Sequence, residues 1–152
     1  MSKETISIYF DAPKDFVDTS IRPLNGIVGL YFIFSKSITI QYPFDSSSLL
    51  YIGMSEKKTN SIGRRLLGHY DGTSMNAGLV NYRKRNKLLF TYLNFELLRE
   101  RWRLSIEQLE SYFILDFVKH FGVYPICNNK SGYDILSETV TTNIGVDWNY
   151  FK

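Results

Sequence analysis

The stretch Leu49 to Tyr70, LLYIGMSEKKTNSIGRRLLGHY, leaves this chain few ways to fold. It opens as a short apolar run, Leu49-Leu50-Tyr51-Ile52, and stops at Gly53. That is the form of a buried strand ending where the backbone needs freedom or close approach. A polar loop follows, and Asn60 or Ser61 is the candidate N-cap of a helix carrying Ile62, Leu66 and Tyr70 on one stripe. Arg65 and His69 are four apart, so on that helix they stack on one face beside the stripe. A strand that delivers a tyrosine and a helix that delivers an arginine and a histidine would give the fold a reactive edge.

The remaining segments supply a sheet and its cover. Ile27 to Phe34 is apolar almost throughout and reads as a central strand. Ser37 to Tyr42 alternates and is rich in β-branched residues, and Pro43 to Ser48 reads as a turn or loop. Asn76 to Asn86 reads as a second helix, and Leu88 to Leu98 as the next strand, with side chains on both faces at least half covered. Leu104 to Phe121 is the clearest helix: Ser105 is its candidate N-cap, and Ile106, Leu109, Phe113, Ile114, Phe117, Val118 and Phe121 form a core-facing stripe. Gly122 ends it and Pro125 prevents its resumption. At the N-terminus, Ile6 to Phe10 is a short candidate strand that would cover a sheet edge or join a dimer contact. The tail from Asn129 to Lys152 reads as irregular chain packed against the body. The expected architecture is therefore α/β, a small, mostly antiparallel sheet of three or more strands flanked by helices. All 152 residues are expected to form one domain, with a core over 26–128, an N-terminal arm over 1–25 and a tail over 129–152.

Composition narrows the function classes. The formal charge of +3 is too mild to identify a nucleic-acid partner by itself, so the placement of cations matters more. Cys127 is the only cysteine, which excludes an internal disulfide, and with two histidines a structural zinc site is not expected. Met1 to Asp18 has no apolar core of the kind a signal peptide carries, and no run reaches the roughly 20 apolar residues of a membrane span. The expectation is a soluble, cytoplasmic protein with no membrane partner.

Glu110 breaks the apolar stripe of the long helix. A carboxylate on such a face is costly to bury uncompensated, so it needs a cation, a proton or partial exposure. An ion pair with a nearby arginine is the ordinary solution. Tyr31 and Tyr51 are equally ordinary as strand-edge residues, Arg64 and Arg65 as solvated helix residues, and His69 as a hydrogen-bonded structural side chain.

Taken in order, these residues resemble the signature of the GIY-YIG nuclease family. Gly29-Leu30-Tyr31 stands where that family has its Gly-Ile-Tyr strand, and Tyr51-Ile52-Gly53 where it has Tyr-Ile-Gly. Arg65 and His69 match its R-x-x-x-H helix, Glu110 in LESYFI its later helix, and Asn128 in PICN the asparagine that follows. The match runs from about Gly26 to Asn128. One departure stands out: nineteen residues separate Tyr31 from Tyr51, where family members commonly have a tighter hairpin, so this connection is elongated or carries an extra strand.

The resemblance implies a metal-dependent endonuclease that hydrolyses DNA phosphodiester bonds. It implies Tyr31 as general base, Tyr51 positioning water or phosphate, Arg65 holding the scissile phosphate, and His69 bonding a tyrosine or moving its proton. Glu110 would be the protein ligand to Mg2+ or Mn2+, with Asn128, Gly29 and Gly53 in support. Lys57, Lys58 and Arg64, with the basic run Arg83, Lys84, Arg85 and Lys87, are the candidate DNA contacts, and Arg99, Arg101 and Arg103 extend the same charge. Two subtypes fit: a restriction-type enzyme, dimeric to cut both strands of a duplex, or a repair, recombination or mobile-element nuclease acting on double-stranded or branched DNA. A non-catalytic nucleic-acid-binding module on the same fold is the alternative.

Overall fold

Strand β3 (Gly29–Ser35) is the axis of the fold, and all seven of its residues are buried. The computed structural model describes residues 4–128 and 142–152. β3 is flanked by β6 (Leu49–Ser55) on one side and β7 (Leu88–Asn94) on the other, with the two-residue β2 (Lys14–Asp15) outside β7. Every pairing in this four-stranded sheet is antiparallel. Side chains alternate across β3 because successive Cβ atoms leave opposite faces of a strand. Leu30, Phe32 and Phe34 enter one core, and Tyr31 and Ile33 enter another.

The first core is closed by α4 (Ile106–Phe121), through Leu109, Phe113 and Phe117, and by Trp148 and Phe151 from the C-terminal segment. The second is closed by α1 (Asp18–Ile21), α2 (Ile62–Asp71) and α3 (Ala77–Arg85), through Ile21, Ile62, Leu66 and Leu79. The architecture is thus mixed α/β, a small antiparallel sheet with helices over both faces. Both faces being covered explains why β3 reads as one apolar run. Among the described residues, no helix is long and apolar enough to cross a membrane.

Several boundaries differ from the sequence reading, each for a local reason. The strand expected to Leu98 stops at Asn94, whose side chain accepts a hydrogen bond from the Glu96 amide and turns Phe95–Leu97 into a 3-10 helix. The helix expected from Leu104 starts at Ile106, because Ser105 is extended and closes a capping box with Gln108. Of Ser37 to Tyr42, only Ile40–Gln41 is strand (β4), paired with Ser46–Ser47 (β5). This small hairpin accounts for the long connection between the two tyrosines.

The tail is not irregular throughout. β8 (Thr142–Val146) pairs in parallel with β1 (Glu4–Ile8) as a separate two-stranded sheet, with Ile6, Ile8 and Ile144 buried. Residues 129–141, which include Ser131-Gly132, lie outside the described residues.

Candidate active site

Pairing between β3 and β6 sets the two phenols. Tyr31 lies opposite Gly53 and Ile33 opposite Tyr51, so the tyrosines are two register steps apart on the same face. Their rings stack with centroids 6.0 Å apart and planes 27° apart. A Cβ at position 53 would lie 2.3 Å from Tyr31 Cζ and 2.4 Å from its Oη, so the phenol rests against bare backbone. Gly53→Ala should therefore destabilise the fold by about 1–3 kcal/mol, the usual penalty for overpacking a buried site. A urea titration checks it, and an unchanged midpoint would show that the ring swings away freely. Gly29 acts on the other side of β3. Its φ is +150° and a Cβ there would meet the Leu93 carbonyl oxygen at 1.9 Å, so it permits the close β3–β7 approach.

Helix α2 brings the guanidinium and the imidazole to the same phenols. Ser61, one of the two N-caps the sequence offered, accepts a hydrogen bond from the Arg64 amide. Ile62 and Leu66 are buried one turn apart, which turns Arg65 and His69 toward the sheet. His69 Nε2 is 3.0 Å from Tyr31 Oη, and Arg65 Nε donates to the same oxygen at 3.5 Å. The His69 ring also meets Tyr51 edge-on at 4.9 Å.

Charge follows from that packing. Burial raises the Tyr31 pKa, and the opposing pull of Arg65 does not outweigh it, so the free site keeps this phenol protonated. Tyr51 is raised the same way, with the charge on Glu110 adding to burial. Burial and the Arg65 charge push His69 down to about 4, leaving a neutral ring near pH 7. For Arg65, burial alone would favour loss of the proton, but the phenols and Glu110 raise its pKa on balance.

Glu110 is buried on α4, which packs chiefly against edge strand β6. α4 covers the other face of the sheet from the phenols, but from its place beside β6 the Glu110 charge still raises the pKa of Tyr31, Tyr51 and Arg65. A magnesium-like ion keeps several waters and takes one or two carboxylates plus phosphate oxygens. Glu110 is the residue that would hold such an ion, although it is not among the residues that line the neighbouring cleft. Asn128 clamps the β6 edge: its Oδ1 accepts from the Ile52 amide at 3.0 Å and its Nδ2 donates to the Ile52 carbonyl at 2.9 Å.

The cluster opens into a cleft of about 860 Å³ lined by Tyr51, Arg65 and His69, with Lys58 and Arg64 among its walls. Lys57 is exposed on the loop beside it, in a short bridge with Asn60. The other basic run does not line this cleft. Arg83 lies over the Tyr70 ring at 4.8 Å, Lys87 pairs with Asp15 at 3.4 Å, and Lys84 and Arg85 are exposed. Arg99 pairs with Glu96 and Arg101 with Glu4. One contributor escaped the sequence reading. Ser74 Oγ is 2.7 Å from His69 Nδ1, a contact made by a loop folding back over α2, for which no residue pattern gives a signal.

Comparison with protein-family models, with curated proteins and with solved structures returned no match.

Proposed function

We propose that this chain is a GIY-YIG-type endonuclease that hydrolyses DNA phosphodiester bonds with Mg2+ or Mn2+. The observation that carries the reading is the convergence of Tyr31, Arg65 and His69 on one buried phenol oxygen, with Glu110 acting on the same groups. Hydrolysis needs a proton acceptor for water, donors for the phosphorane-like transition state and stabilisation of the leaving oxygen. Arg65 offers a fixed fork of donors to the scissile phosphate. Tyr31 accepts the proton of the attacking water while passing its own to neutral His69, so the phenol need never ionise fully in its buried site. Tyr51 orients water or phosphate against that pair. Glu110 holds the divalent ion, whose charge when bound offsets that developing on the departing 3′ oxygen. Lys58 and Arg64 on the cleft wall extend the phosphate track.

The test is incubation of the protein with supercoiled and branched DNA, with and without magnesium. Products should end in 5′-phosphate and 3′-hydroxyl groups and appear only with the metal. Cutting of plain duplex at fixed sites by a dimer would make this a restriction-type enzyme, and preference for branched substrates a repair, recombination or mobile-element nuclease. Salt-sensitive binding without any cutting would overturn the enzyme in favour of a binding module.

A further inference from the structure

His69 is held at both ring nitrogens: Nε2 by Tyr31 Oη at 3.0 Å and Nδ1 by Ser74 Oγ at 2.7 Å. A neutral imidazole carries hydrogen on one nitrogen and a lone pair on the other, and its partners decide which. At the inner end, Arg65 Nε–H can only donate, so it occupies one lone pair of the Tyr31 oxygen. Tyr31 is fully buried, so its own hydrogen needs an acceptor; Arg65 cannot accept, and His69 Nε2 at 3.0 Å is the acceptor at hand. Nδ1 must then bear the ring hydrogen and give it to Ser74.

The loop around Ser74 is built to hold it there. The Ser74 amide donates to the Gly68 carbonyl at 3.1 Å, folding the loop back onto α2 one residue before His69. The Asp71 carboxylate accepts from both the amide and the hydroxyl of Thr73, and Met75 closes the turn at φ +64° with its amide on the Gly72 carbonyl.

We propose that Ser74 is a positioning residue that holds His69 in the Nδ1–H tautomer, so that the Nε2 lone pair faces Tyr31. Its catalytic consequence rests on the nuclease reading, but the tautomer does not. The chain has two histidines, His69 and His120, so ¹⁵N-histidine NMR near pH 7 is easily assigned with a His120→Gln variant. In the wild type, His69 should show a protonated Nδ1 and a bare Nε2. Ser74→Ala should transfer part of that population to the Nε2–H form, and Ser74→Thr should restore it. The same alanine variant should lower kcat about tenfold with KM for DNA unchanged, the loss expected for a single neutral hydrogen bond. An Nε2–H ring in the wild type, or a spectrum that Ser74→Ala leaves untouched, would overturn the proposal. If the protein cuts no DNA, the spectrum still decides the point, so the two readings fail separately.

Discussion

Replacing Arg65 with alanine should lower turnover roughly a thousandfold or more, the scale on which a transition-state arginine acts in phosphoryl transfer. The side chain has the geometry for that role. It is half-buried on α2, its Nε reaches Tyr31 Oη at a long 3.5 Å, and the residue lines the cleft. The long contact also means that little of the fold depends on it, so the urea midpoint should hardly move. Arg64, exposed on the same cleft, provides the internal comparison. Arg64→Ala should weaken DNA binding and its salt dependence while leaving kcat near normal. Single-turnover cleavage of both variants measures the difference, and near-normal rates for Arg65→Ala would remove it from the mechanism.

Tyr31→Phe should cost about 10²- to 10⁴-fold in rate, the range attributed to general acid–base groups. The phenol oxygen joins His69 and Arg65, and the Tyr31 ring stacks on that of Tyr51. Phenylalanine keeps the ring against Gly53 but leaves His69 Nε2 without its inner partner in a buried setting. Stability should therefore fall as well, by about 1–3 kcal/mol for a buried polar atom left unsatisfied. Tyr51→Phe should cost less in rate, because its hydroxyl orients water or phosphate and passes no proton in the relay. Equal losses from the two variants would contradict this ordering.

The parts of the fold and site that could be read from the chain were the local ones. Strand, cap and helix in Leu49 to Tyr70 follow from short-range pattern: an apolar run, a serine before the helix, and isoleucine and leucine four apart. Glu110 could be singled out because a carboxylate interrupts an apolar stripe, and it is buried on α4. What escaped depends on distant partners. Thr142–Val146 carries Asn143 and Gly145, weak strand formers, and becomes a strand by pairing with Glu4–Ile8 at the other end of the chain. Ser74 acquires a role only when the loop after α2 folds back on Gly68. The basic run at Arg83 to Lys87, a candidate DNA contact in the sequence, lies outside the lining of the cleft, with Arg83 over Tyr70, Lys87 paired with Asp15, and Lys84 and Arg85 exposed. Linear clustering of charge does not say which wall the charge occupies.

The most direct measurement is metal-dependent nicking of supercoiled DNA by the wild type beside Glu110→Gln, which keeps the side-chain shape and removes the charge. The wild type should nick with Mg2+ or Mn2+ and not without, and Glu110→Gln should fall to background while still folded and still binding DNA. Equal nicking by the two proteins, or none by the wild type on supercoiled and branched substrates alike, would contradict the account.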